Sequence, residues 1–225
     1  MGQILVSLSL LGLTLTTPLE APPAGGSAGF FNAVEEIYSE PLAKKTLDLT
    51  NRYPEKSVNE VFADNILLNL HYLKGDAQNK PDWEKVRQPF ETSFVLKPNE
   101  AFAFHEDILP EFKGKIVKTT GAHFNWEDGF KSDGFLVGDG VCHLATLINW
   151  VAQEARLKVT APSNHNFLPV PGVPREFGTA IFWLPQSGWK SQNQNLYIEN
   201  TFNFPVKFTF KADSQKVEVA ITKIQ

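Results

Sequence analysis

Apolar positions along this chain recur with two periods. In residues 57–75, Val58, Val61, Phe62, Ile66, Leu67, Leu70 and Leu73 fall three or four apart, the spacing that lines one face of a helix. Ser57 with Glu60 reads as a capping box and Gly75 as a stop, so a helix is predicted between them. A second run starts near Val141. Its apolar stripe is Leu144, Leu147, Ile148, Val151 and Ala155; its polar stripe is Cys142, Thr146, Asn149 and Gln153. That division predicts a cysteine on the side of the helix that need not be core. Phe31, Val34 and Ile37 mark a shorter helix that Pro41 interrupts, and Asp82 caps a short turn carrying Trp83 and Val86 that Pro89 ends.

Elsewhere the period is two or the run is short. Residues 92–96, the turn Lys97-Pro98-Asn99-Glu100 and residues 101–104 read as strand, tight turn, strand. Lys158-Val159-Thr160, residues 179–184 and residues 195–199 read as further strands. Residues 206–210 and 216–221 read as a hairpin turned at Asp213-Ser214, with Val206, Phe208, Phe210, Val217, Val219 and Ile221 on one covered face. The expected fold class is α+β: N-terminal helices, and a central Cys-bearing helix packed on a mostly antiparallel β-sheet.

Composition and charge narrow the function. The 225 residues suit one sizeable domain or two small ones, and 21 basic against 25 acidic residues, with no basic run, argue against a nucleic-acid partner. Eighteen Phe and a single Met predict a rigid aromatic core. One cysteine rules out an intramolecular disulfide and any paired-cysteine zinc spacing. Residues 4–16 are an apolar run of signal-peptide length, too short for a transmembrane helix, although Met1-Gly2-Gln3 carries no basic residue; Pro18, Pro22, Pro23, Gly25 and Gly26 follow it. The expected organisation is a signal-like segment and linker over 1–29, an N-terminal helical extension over 30–56 and the main domain over 57–225. No integral membrane segment is expected in the mature chain, and the expected location is extracellular or in the cell envelope.

Candidate chemistry centres on the turn Gly138-Asp139-Gly140 and the helix it opens. A thiol in a first helical turn meets free N–H groups and the positive end of the dipole, which favour thiolate. Cys142 is thus a candidate nucleophile, His165 its base, and Asn149, Asn166 or Glu176 the group orienting the imidazole. The competing reading is a packed, structural cysteine. Residues 110–140 are polar and loop-like, so Asp139, His123 and Trp126 join His143 and Thr146 as candidate binding residues. His123, Asp128, Asp133, Asp139, His143 and His165 are metal-ligand types suited to zinc or manganese-like ions, but no recognised ligand spacing is present, and neither metal nor cofactor is expected. His71, between Leu70 and Tyr72, reads as a satisfied structural residue, and His105 as capping a turn.

Several blocks in sequence order resemble the VanW-like family: residues 97–104, Asp133-Gly134-Phe135, residues 138–149 with Gly-Val-Cys and then Thr146 and Asn149, His165 before Val170-Pro171-Gly172, and residues 196–201. The resemblance spans roughly residues 57–225. His143 stands where the family commonly has Gln, Ala145 where it has Ser, and Asp139 at a glycine position, so roles of those family residues do not carry over. The resemblance implies an exported cell-envelope domain, associated by name with glycopeptide resistance, whose partner is peptidoglycan or a cell-wall peptide. Two functions are compatible with it: a Cys-His hydrolase or transferase, and a non-catalytic wall-binding or scaffolding domain with a structural Cys142.

Overall fold

The computed structural model describes residues 40–184, 186 and 189–225, within a compact unit over Tyr38–Gln225. The signal-like run, the linker and the helix expected at residues 31–37 lie outside the described residues. The described residues form eight strands, β1 (Glu40–Asp48), β2 (Phe90–Leu96), β3 (Ala101–Ala103), β4 (Ile116–Lys118), β5 (Lys158–Thr160), β6 (Tyr197–Glu199), β7 (Val206–Ala212) and β8 (Lys216–Lys223). Their helices are α1 (Lys56–Lys74), α2 (Trp83–Val86), α3 (Val141–Glu154) and α4 (Trp189–Asn193). The class is α+β, as expected, but the strands make two four-stranded sheets, ordered β1-β8-β7-β2 and β4-β3-β6-β5. All pairs are antiparallel except β3 with β4.

The periodic segments behave as their patterns predict. Helix α1 ends at Gly75, whose φ of +87° is open to glycine without a Cβ clash, and whose N–H closes on His71 O and Tyr72 O. Its start differs from the expected capping box. Glu55 is the N-cap and makes no side-chain cap bond, and Ser57 lies inside the first turn. Asn59 ties that end down instead, its Oδ1 accepting from the N–H groups of Arg52 and Tyr53 and its Nδ2 donating to Leu49 O. His71 is buried between Asp76 Oδ1 and Val86 O, and Asp82 accepts from the N–H groups of Glu84 and Lys85 to open α2.

Residues 40–48, placed by the sequence in a helical extension, are instead strand β1 along β8, so the domain begins before residue 57. Only the long-range partner reveals this. Pro41, which lacks an N–H, sits at the register shift of the ladder, and Lys44 and Lys45 hold Glu218 and Glu154 on this edge strand. The expected strand–turn–strand at 90–104 is also partly redrawn. The turn forms, with Glu100 N bonded to Lys97 O, but β2 pairs with β7 while β3 pairs with β4 and β6. The Phe94 ring on β2 stacks on Phe102 of β3 at 5.1 Å and on Phe208 of β7 at 4.8 Å, joining the two sheets through an aromatic core. Helix α3 packs on β1, β8 and β5 and against α1.

Glu199 on β6 is nearly buried and receives Lys115 at 2.7 Å and Lys158 at 3.0 Å. Its bond from Lys115 holds it below the ordinary carboxylate range against the opposing effect of burial, and Lys158 adds to this. A carboxyl depressed in the folded state stabilises above its unfolded value of 4.5, and that contribution disappears as pH falls through the folded value. Urea-unfolding midpoints should therefore fall below about pH 4.5, and Glu199→Gln should flatten part of that decline. An unchanged acid dependence in Glu199→Gln would count against the assignment.

Candidate functional site

Gly138, Asp139 and Gly140 turn the chain into α3. Gly138 and Gly140 have φ of +86° and +95°, and Gly140, the helix N-cap, lies against the backbone of Phe62 in α1. Asn65 of α1, fully buried, staples the incoming loop by donating to Lys131 O and Asp139 O and accepting from Lys131 N. Cys142 thus stands in the first helical turn, as expected. Its surroundings do not match the expectation of an open polar side.

The middle of the polar stripe of α3 is buried, Thr146 at 0% and Asn149 at 2% exposure, while Cys142 is half-buried and Gln153 exposed, and the stripe grips a neighbouring segment. Residues 178–181 run along it after the 3-10 turn that ends at Phe177. Asn149 Nδ2 donates to Phe177 O at 2.9 Å and Thr179 Oγ1 at 3.0 Å; Thr146 Oγ1 accepts from Thr179 N at 3.0 Å; and the Cys142 sulfur accepts from Ile181 N at 3.3 Å and donates to Ile181 O at 3.6 Å. Residues three or four apart on a helix therefore meet alternate residues of an extended chain, which is possible because the two spacings along their axes are similar. This corrects the strand predicted at 179–184: Thr179 and Ile181 turn their backbone groups to side chains of α3, while the N–H groups of Ala180, Phe182 and Leu184 reach Ser163 O, Gln194 O and Ser191 Oγ, so no ladder forms.

The same contacts revise the thiol. Part of Cys142 reaches solvent, but burial around the sulfur pushes the thiol up to about 11, and the adjacent Asp139 carboxylate opposes thiolate further. Asp139 is itself pushed up to about 6, first by burial and also by Asp133. Desolvation and a carboxylate outweigh the helix end here. His165 does not join the thiol: its Nδ1 faces Leu168 O at 2.8 Å and its ring stands edge-on to His143 at 6.1 Å. Among the described residues no hydrogen bond links the Cys142 sulfur to His165. Glu176 is exposed in a 3-10 turn, and Asn166 is exposed too, so neither orients the imidazole from within a buried site.

The remaining candidates divide. His123 lies between Glu106 and Asp128, with its ring 4.1 Å from Trp183. Burial lowers its proton affinity, but the two carboxylates outweigh this and raise it. Through residues 181–183 it is near the Cys142 segment, and Asp133 N reaches Asp139 Oδ2. Among the described residues, no three His, Cys, Asp or Glu side chains have a geometry suited to a metal ion. His105 is buried, its Nδ1 accepting from Asp107 N. Trp126 is 66% exposed, and Phe135, Leu136, Phe167, Leu168, Phe182 and Leu184 are also exposed, on the loops to either side of the α3 start. A groove of about 590 Å³ lies elsewhere, between α1 and the β7–β8 turn, lined by Lys56, Asn59, Asp64, Arg87 and Gln215 among others. Sequence reasoning missed Arg52, which is 3% exposed although it stands in the polar string Thr50-Asn51-Arg52-Tyr53; no local signal marks it as buried. Among the described residues no helix is long and apolar enough to cross a membrane.

A family model described as VanW like protein matches residues 91–222, well over half of the chain and all of the blocks that carried the resemblance. No curated protein and no solved structure matches.

Proposed function

Because the chain belongs to the VanW-like family, we propose that it is a non-catalytic binding domain of the cell envelope whose ligand is peptidoglycan or a cell-wall peptide, with Cys142 as a structural residue. The observation that carries this reading is the double engagement of the Cys142 sulfur by the Ile181 backbone. A nucleophile needs a free thiolate and a base within reach; this thiol is protonated at neutral pH and its sulfur is occupied. The apolar run at residues 4–16 supports an exported location.

The binding surface we assign is the set of exposed apolar side chains on the loops at residues 122–137 and 163–184. Large exposed rings such as Trp126 and Phe167 offer flat apolar faces to a sugar ring or a peptide side chain. Co-sedimentation with purified sacculi tests the reading. Wild type and Cys142→Ser should pellet alike, whereas Trp126→Ala combined with Phe167→Ala should bind about tenfold more weakly, the loss of an anchoring aromatic pair. Failure of the wild type to pellet would sink the binding reading. Release of soluble wall fragments by the wild type but not by Cys142→Ser would replace it with the hydrolase.

A further inference from the structure

Two buried nitrogens, Arg52 Nε and His143 Nδ1, have no hydrogen-bond partner among the described residues. The two residues are 3% and 2% exposed and meet around Phe62, whose ring is 5.6 Å from that of Tyr53, the neighbour of Arg52, and 5.0 Å from that of His143. A buried guanidinium is unfavourable unless acceptors and a counter-charge receive it. Arg52 makes its side-chain bond to a neutral acceptor, Pro171 O, through Nη1 at 3.0 Å. The carboxylate that acts on it, Asp48, is engaged in capping the 3-10 turn after β1, where it accepts from the N–H and hydroxyl of Thr50. Among the described residues no ion pair is made by Arg52. Among the described residues, Asp48 is the carboxylate that acts on Arg52. His143 packs on Phe62 at 5.0 Å and faces His165, and burial holds both imidazoles below their ordinary proton affinity, so both are neutral. What this place lacks is one negative charge with acceptor atoms.

We propose that Arg52 and His143, with His165 at the edge, form a receptor for a single small carboxylate, such as acetate or the C-terminal carboxylate of a peptide. Arg52 Nε–H donates to one carboxylate oxygen. His143, in the tautomer with its proton on Nδ1, donates to the carboxylate as well. A carboxylate is favoured over a water molecule because a water satisfies hydrogen bonds but leaves the guanidinium charge uncompensated. The segment between Ser163 and Ala180 meets Arg52 through Pro171 O, and a carboxylate would enter past it. It is clasped at its ends by His165 N to Gly178 O and Ala180 N to Ser163 O, held in the middle by Pro171 O on Arg52, and carries the exposed Phe167 at its turn. That segment also carries Phe167 of the proposed wall-binding surface, but Arg52 and His143 are buried and do not belong to that surface, so substitutions at Arg52 and at Trp126 test the two readings separately.

The test is a titration of the full chain, labelled with 15N at arginine and histidine side chains, with sodium acetate against sodium chloride at equal ionic strength. A second arm uses acetyl-alanyl-alanine to distinguish a peptide terminus from a free carboxylate. Acetate, the dipeptide or both should shift the Arg52 Nε and His143 ring signals saturably and raise the melting temperature; chloride should do neither. Arg52→Gln should weaken the effect at least tenfold, and His143→Phe should weaken it in a second background should Arg52→Gln fail to fold. Signals that ignore both carboxylates, or that respond equally to chloride, would overturn the proposal and leave a guanidinium hydrated by water alone.

Discussion

Gly140→Ala is expected to destabilise the folded protein by about 3 kcal/mol, the sum of a left-handed backbone cost of about 1–2 kcal/mol and an overpacking cost of similar size. An alanine Cβ at this position would lie 2.5 Å from Phe62 O and 2.9 Å from Phe62 Cα. Both are backbone atoms of α1, so the clash cannot be relieved by turning a side chain. Either α1 and α3 separate or the first turn of α3 shifts, and Cys142 and His143 shift with it. Gly114→Ala separates the two contributions. Its φ is also left-handed, at +81°, but nothing lies within 4 Å of the added Cβ, so it should cost only about 1–2 kcal/mol. Urea-unfolding midpoints of the two variants would check this. Equal losses would show that contact with α1 contributes nothing and that φ alone matters.

The second large effect is chemical. Iodoacetamide should alkylate Cys142 in the native protein at pH 8 about a hundredfold more slowly than in the unfolded chain, because thiolate is the reactive form and falls tenfold for each pH unit by which the pKa rises. The thiol is moved from 9.0 to about 11, first by burial. The reactivity of the native protein should keep rising toward pH 11 instead of levelling near 9. Stability follows with a fixed sign. The raised value favours the neutral thiol in the folded state, so this contribution is fully present below pH 9 and is lost as pH rises through about 11. His165→Ala should leave the alkylation profile unchanged, since that ring bonds to Leu168 O. Cys142→Ser should keep the fold, because a hydroxyl can accept from Ile181 N and donate to Ile181 O in the same way. Rapid alkylation near neutral pH that disappears with His165→Ala would restore the nucleophile reading.

The candidate site was half legible. The blocks from Lys97 to Thr201 carry the family in the sequence alone, and the Gly138-Asp139-Gly140 turn places Cys142 in the first turn of α3. The polar stripe of Cys142, Thr146, Asn149 and Gln153 was also legible, and its last member is exposed as a polar stripe implies. Its first three members differ from the expectation: they dock residues 177–181, and Thr146 and Asn149 are buried. A polar helix face looks the same in sequence whether water or an extended backbone satisfies it. Arg52 was missed for a related reason, since its burial depends on Pro171, 119 residues away.

What the sequence by itself determined is therefore what local windows encode. Helix α1 and its Gly75 stop, the start of α3 and the β7–β8 hairpin follow from periodicity and turn chemistry over a few residues, because those interactions are made within the segment. Tertiary structure decided the rest. It made residues 40–48 a strand by pairing them with β8, parted β2 and β3 into separate sheets, and withheld strand structure from residues 179–184 by dividing their backbone bonds between α3 and distant loop residues. It also decided the chemistry of Cys142, since desolvation and the position of Asp139 outweigh the helix end. In each case the deciding partner is distant in sequence, and a backbone group or a thiol takes its state from whichever partner the assembled fold brings to it.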